Sequence, residues 1–390
     1  MSLTSFAIVA ILVAIAPLLS SLTRIPSVVI EMLLGALVGY FGILHDSHSL
    51  HYVAEVGFLI LMFLCGTEVD LKSFKDLKKS GLGKNIILYF CVLYTLSLTL
   101  VLLQQLPFIY IVTFPIMGVG MIMTLIKEYG KEHLWLNLAL KVGILGELLS
   151  ICILVGINGF YTYGLSLELS KTFGVLLLFF AFIALCFRFF KVLFWWFPTL
   201  KTLIVPQEDS SNQDLRFSAM LFFIFISIVL SLQLEVALGA FIAGMIIATF
   251  FGNRHALHHK LTSIGFGFFV PFFFVNVGTT LDLKSLLSHP QLFKDALIIV
   301  CGMFGIRLIG CFISFRKYLG NAKNAILYAL SDAMPLTFLI ATATLALQLK
   351  VITQENYYAF VMGAMIEGIV FMISIKLILL YWKEKSNTSQ

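Results

Sequence analysis

Thirteen long apolar runs decide what this chain can fold into. Cut at polar and turn-forming residues, they fall at about 4–21, 26–43, 50–67, 84–105, 108–126, 134–157, 172–195, 214–232, 234–252, 261–280, 292–315, 322–348 and 355–381. Most hold about 18 or more residues, which at roughly 1.5 Å of rise per residue reaches across the hydrocarbon of a bilayer. Lipid offers no partner to a bare amide or carbonyl, so segments of this length cross as helices. The remaining 12% of charged residues cannot cover a soluble surface made by 60% hydrophobic residues and 38 Phe. The expected fold is an all-α polytopic membrane protein of about 13 transmembrane helices. Two divisions, at Gln104–Pro107 and Ser231–Glu235, rest on short polar gaps; a continuous helix through either would overrun the bilayer.

Charge placement tests that count. With thirteen spans and the C-terminus inside, 19 of the 26 basic residues fall in cytoplasmic segments, among them Arg24, Lys72, Lys75, Lys78, Lys79, Lys131, Lys201, Arg254, Arg316 and Lys317. Four fall outside (Lys171, Lys284, Lys294, Lys350) and three within spans (Lys141, Arg307, Lys376). This asymmetry gives an outside N-terminus and a cytoplasmic C-terminus, in the pattern of an inner (plasma) membrane protein of a bacterium. The net charge of +6 follows from these loops and calls for no nucleic-acid partner. The first run lacks a basic leader and cleavage site and reads as a retained helix. The polar stretch Lys201–Arg216 reads as a linker between two halves of a transporter, and no soluble regulatory domain is expected after the last span. The six cysteines sit inside apolar segments without metal-ligand spacing, so no cofactor, structural metal or disulfide is expected. No nucleophile–base pair points to an enzyme.

Chemistry concentrates in the interruptions. The fifth span contains Pro115-Ile-Met-Gly118-Val-Gly120, and the twelfth contains Ser331-Asp332-Ala-Met-Pro335-Leu-Thr337. Broken helices at corresponding places in two halves free carbonyls and half-helix ends for ion binding. Intramembrane charges follow the same pattern. Glu147 sits in the sixth span, where a carboxylate costs about 3 kcal/mol on insertion scales and is kept for a task. Arg307 lies in the eleventh span and needs a carboxylate or helix-end carbonyls beside it; Glu147, Asp332 and Glu367 are the candidates. The residues rank Glu147 first as the carrier, Arg307 as its electrostatic partner and Asp332 as a charge at the crossing, and leave open whether Arg307 contacts Glu147 or Asp332. Glu367 and Lys141 are secondary candidates, the first read as structural and the second as a snorkelling interface anchor. The loop histidines and the acids at span ends, Glu31, Glu55, Glu68 and Asp70, read as solvated.

Four segments resemble a known family. Pro26 to Gly39 (PSVVIEMLLGALVG), Phe63-Leu-Cys-Gly66-Thr-Glu68, Leu238-Gly-Ala-Phe-Ile-Ala-Gly244 and Pro271-Phe-Phe-Phe-Val-Asn-Val-Gly278 with Leu281-Asp282 are similar to signatures of the monovalent cation:proton antiporters, in their NapA-like and Kef-like branch. The resemblance implies inverted repeats with two broken, crossing helices, as in the NhaA/NapA-like antiporter fold. It implies dimerisation helices at about 4–67 and 214–280, core helices at about 84–157 and 292–381, and a linker helix at about 172–195. The family's acidic dipeptide aligns with Gly146-Glu147, where the first polar side chain is missing. Its span-11 base aligns with Arg307, and its span-5 Thr is replaced within Met117–Gly120. Such a site is poor in side-chain oxygens and suits either a weakly hydrated ion such as K⁺ or coordination by backbone carbonyls and water.

The expected function is secondary exchange of a monovalent cation (Na⁺ or K⁺) for H⁺ by a homodimer in membrane lipid. Proton and cation compete for Glu147, and one carboxylate beside one permanent cation implies electroneutral, one-for-one exchange. A channel-like potassium efflux module, a sodium-coupled organic-anion symporter and a non-transporting scaffold stand as alternatives.

Overall fold

The computed structural model describes residues 3–23, 27–43, 48–67, 82–163, 167–197, 199, 212–234, 236–251, 255–280 and 290–387. Arg24, Pro26, Glu68, Asp70, Lys72, Lys75, Lys78, Lys79, Lys201, Arg254, Leu281, Asp282 and Lys284, read above, lie outside them. The described residues are helical with short connections. The helices are α1 (Leu3–Thr23), α2 (Ser27–Tyr40), α3 (His48–Thr67), α4 (Leu82–Gln104), α5 (Tyr110–Thr113), α6 (Gly120–Tyr129), α7 (Leu134–Tyr163), α8 (Leu167–Trp196) and α9 (Gln213–Ser231). They continue with α10 (Val236–Phe251), α11 (His255–Ile264), α12 (Val270–Thr279), α13 (Pro290–Ser314), α14 (Arg316–Leu319), α15 (Ala322–Asp332), α16 (Leu336–Gln348) and α17 (Gln354–Asn387). A single π turn at Gly265–Phe269 joins α11 to α12. Each apolar run of the sequence is occupied by a helix or by an interrupted pair of them.

The narrow gaps that divided the spans are real helix ends. Gln105, Gln233 and Lys350 all take left-handed φ, at 54°, 55° and 58°. In each case the following amide turns back to a carbonyl of the last turn: Leu106 to Val101, Leu234 to Val229 and Val351 to Ala346. These six-to-one bonds satisfy carbonyls that would otherwise end bare in lipid, which offsets the cost of about 1–2 kcal/mol for a side chain in that conformation.

The chain forms two compact units. One comprises Met1–Tyr52, Phe74–Ser150 and Pro271–Gln390; the other comprises Val53–Ser73 and Ile151–Val270. In the first, α2 packs on α1 and α17, α13 on α4, α15 and α17, and α16 on α17. A Cβ on Gly35 of α2 would strike the Val275 carbonyl oxygen of α12, and one on Gly278 would strike the Met32 carbonyl oxygen. In the second unit the same device recurs: Gly66 of α3 lies on Phe241 O of α10, and Gly244 lies on Phe63 O. Gly239 of α10 sits against α9, where a Cβ would lie 2.6 Å from the Phe225 carbonyl oxygen. The described parts of the four signature segments are therefore backbone-to-backbone helix crossings, the packing that small residues allow between helices in lipid. Lys260 of α11 holds Asp214 at the start of α9 at 3.0 Å.

Candidate functional site

Both interruptions fall where the sequence places them, and they meet. The fifth span is α5, an irregular stretch through Phe114–Val119, then α6; the twelfth is α15, a turn through Ala333–Pro335, then α16. Gly118 lies over the other break, where a Cβ would stand 3.4 Å from Pro335 Cα and 3.4 Å from Phe338 Cδ2. Pro115 lies in the first irregular stretch and Gly120 is the buried first residue of α6. The Pro335 carbonyl accepts the Leu339 amide at 2.8 Å and so opens α16.

Two charged side chains close the ends of the first break. Arg307, on α13 and fully buried, donates from Nη1 to Phe114 O at 2.7 Å and to Met303 O at 3.1 Å, and from Nη2 to Ile116 O. Its Nε donates to Asp332 O at 3.0 Å and stands 3.4 Å from Asp332 Oδ2. The guanidinium thus covers carbonyl ends of both α5 and α15, where the helix dipole is negative. At the other side of the break, Glu147 of α7, 2% exposed, accepts the Val119 amide on Oε2 at 2.8 Å. Val119 immediately precedes α6, so the carboxylate caps the positive end of that half-helix from a neighbouring helix. Ser150, one turn on, accepts the Met117 amide at 3.1 Å and donates to Gly146 O at 2.7 Å.

This arrangement decides the partner of Arg307 between the two acids the sequence left open. The carboxylate it meets is Asp332, while Glu147 is held by a main-chain amide. The physical reason is donor supply: five fixed N–H groups suit a ring of carbonyls and one carboxylate, whereas an acceptor-only carboxylate suits a helix N-terminus. Tyr89 of α4 completes the pair by donating its O–H to Asp332 Oδ2 at 2.6 Å. Neither Tyr89 nor Ser150 stands out in the sequence. Tyr89 is one of 13 tyrosines in an aromatic-rich chain, and the only signal for Ser150 is its place one turn after Glu147. Lys141 lies half-buried on α7, nearer that helix's start, and Glu367 is buried on α17.

Position 146 has no room for a side chain. A Cβ on Gly146 would overlap Met117 Sδ and lie 2.9 Å from Met117 Cβ and Cγ; on Gly143 it would lie 2.9 Å from Ile122 Cδ1. The two glycines let the break and α6 lie flat on α7, and Met117 fills the volume that a first polar residue of the dipeptide would need. Gly146→Asn is accordingly expected to lower thermal stability in detergent by about 2 kcal/mol through overpacking. Adding Met117→Thr is expected to recover most of that loss, as read by the same melting measurement.

Among described residues the site thus offers Glu147, the Ser150 hydroxyl and main-chain groups of an opened helix. Such a set has the chemistry to hold and release a proton or a monovalent cation without forming a covalent bond. Residues 8–381 match the family described as "Sodium/hydrogen exchanger, transmembrane". A putative Na⁺/H⁺ antiporter, YjbQ, of Bacillus subtilis is 26% identical over 96% of this chain, and the match spans 63% of that relative's length. A probable Na⁺/H⁺ antiporter 3 of Methanocaldococcus jannaschii is 27% identical over 95% of both chains. The solved structure of the sodium proton antiporter MjNhaP1 from Methanocaldococcus jannaschii superposes with a TM-score of 0.66 at 13% identity, covering 96% of this chain and 95% of that one, a likeness of fold. With the family match running through nearly every helix, this integral membrane chain belongs to the sodium/hydrogen exchanger family.

Proposed function

We propose that this chain exchanges a monovalent cation, Na⁺ or K⁺, for protons, with Glu147 as the carboxylate for which the two compete. The observation that carries this is the Glu147–Val119 contact: a buried acid capping a half-helix inside a broken crossing. A bare carboxylate is costly in a low-dielectric core, so it crosses only when a proton or a cation neutralises it. Because Asp332 offsets Arg307, exchange at Glu147 alone is one-for-one and electroneutral. The names of the relatives, Na⁺/H⁺ antiporters, favour this over a channel or an organic-anion symporter. The partition of basic residues supports an outside N-terminus and a cytoplasmic C-terminus, and the proposal places the chain in a bacterial inner membrane, as the Bacillus subtilis relative suggests. The glycine crossing of α2 on α12, and separately that of α3 on α10, support the reading of each pair as rigid packing; the proposal adds a homodimer and a mobile core of broken helices.

The test is proton flux from proteoliposomes on adding Na⁺, Li⁺ or K⁺, with wild type beside Glu147→Gln. One cation is expected to dissipate the pH gradient in wild type, and the variant, still folded, is expected to lose that flux. A wild type that moves no protons with any cation across a pH series sinks the exchange reading.

A further inference from the structure

Glu367 has none of the support that Glu147 enjoys. It is fully buried on α17, and neither carboxylate oxygen has a hydrogen-bond partner among the described residues. A structural carboxylate is held by donors or by a cation at contact distance; this one is not, so the ionised form is unsupported where it stands. Its position is also far from arbitrary. Pro115 to Glu147 and Pro335 to Glu367 span equal numbers of residues, so Glu367 holds in the second half the place that Glu147 holds in the first. The two places differ in one respect: Val119 gives Glu147 an amide, and Glu367 receives none.

We propose that Glu367 is a second proton-binding site, whose proton stays in place through the cycle and must be present for the core to move. Building on the exchange reading, this assigns the repeat-related acids different duties. Glu147, with a donor, trades its proton for a cation; Glu367, without one, licenses the movement by staying neutral. The groups on the helices packed against α17 fit this. Arg307 of α13 exerts its charge on Glu367 but spends its donors on Asp332 and four carbonyls. Glu31 of α2, read from the sequence as solvated, is in fact a buried acid like Asp332 of α15, because it lies on the packed face of its helix; α13 adds Lys294, Asp295, Cys301 and Cys311 along its length, and α16 carries no ionisable side chain. Once Glu367 ionises, the core carries an uncompensated negative charge and stalls.

Cation self-exchange isolates this proton, because swapping one labelled cation for another through Glu147 consumes none. Radioactive sodium, or rubidium where potassium is the transported ion, is equilibrated across proteoliposomes at equal pH on both sides. In wild type the rate is expected to fall about tenfold for each further pH unit once Glu367 starts to lose its proton. Glu367→Gln, permanently neutral, is expected to keep its rate through the same range, and Glu367→Met serves where the amide variant does not fold. An alkaline rate that stays flat in wild type overturns the proposal. So does a fall-off that persists in the neutral variants, or neutral variants that fold but do not exchange. A wild type with no self-exchange at any pH instead sinks the exchange reading. Infrared spectra then read the site without transport. A protonated-carboxyl band present in Glu147→Gln and absent from Glu147→Gln/Glu367→Gln supports the bound proton, and no such difference overturns it.

Discussion

Replacing Arg307 with methionine is expected to cost about 5 kcal/mol or more, enough to deplete the folded protein from the membrane. Methionine matches much of the side chain's length, so the loss is chiefly electrostatic. The carbonyls of Phe114, Ile116 and Asp332 lose their donor, and Asp332 Oδ2 keeps only the Tyr89 hydroxyl. Each orphaned carbonyl in a site closed to water costs on the order of 1–3 kcal/mol. Arg307→Lys keeps the charge as a single point and cannot span the two breaks, so it is expected to fall between wild type and methionine. Removing the opposite charge as well, with Asp332→Asn, is expected to restore part of the loss while leaving the carbonyls bare. Thermal melting of the purified protein in detergent, run as a double-mutant cycle, separates the ion pair from the carbonyl ring. Additive single losses would mean that Arg307 and Asp332 are not coupled.

The second large effect is steric. Gly244→Val is expected to abolish the folded state, because the atoms in the way are main chain. A Cβ there would overlap the Phe63 carbonyl oxygen and lie 2.9 Å from Gly66 Cα and from Thr67 N, none of which can swing aside. Relief requires α3 and α10 to separate along their crossing, losing close contact on both sides of it. The reciprocal change Gly66→Val is expected to do the same. Gly267→Ala is the control: nothing lies within 4 Å of a Cβ at that position, so membrane yield and melting temperature should stay at wild-type values. Equal tolerance at positions 244 and 267 would show that α3 and α10 do not approach closely enough to exclude a side chain at their crossing.

The parts of this structure that a sequence reveals are those written locally. The spans are legible because lipid demands twenty apolar residues in a row, and the two breaks because Pro115, Pro335 and the glycines between Gly118 and Gly120 interrupt such rows. Glu147 is legible as an intramembrane acid because a carboxylate stands out inside an apolar row, and the structure buries it. What is hidden depends on which neighbours the chain brings together. Arg307 carries the same letter whether its fork meets Glu147 or Asp332, and only the approach of α13 to α15 decides. Tyr89 is one aromatic residue among many until Asp332 arrives beside it. Gly146 and Met117 look like unrelated losses of polar groups, yet each is the condition for the other: one side chain occupies the volume that the other position has vacated. Glu367 is read as structural from the sequence because a buried acid inside a span usually finds a donor or a cation, and that assumption is what the packing of α17 removes.

The hydrogen bond from Val119 to Glu147 gives the molecule a built-in reporter. A main-chain amide that donates to an ionised carboxylate is held more tightly than one facing a protonated or cation-bound acid. The amide of Val119 therefore carries the protonation or ion occupancy of Glu147, the proposed exchange site, in its own chemical shift and deuterium-exchange rate. Isotope labelling at that one position would let the loaded and unloaded forms be counted in the resting protein, with no gradient applied.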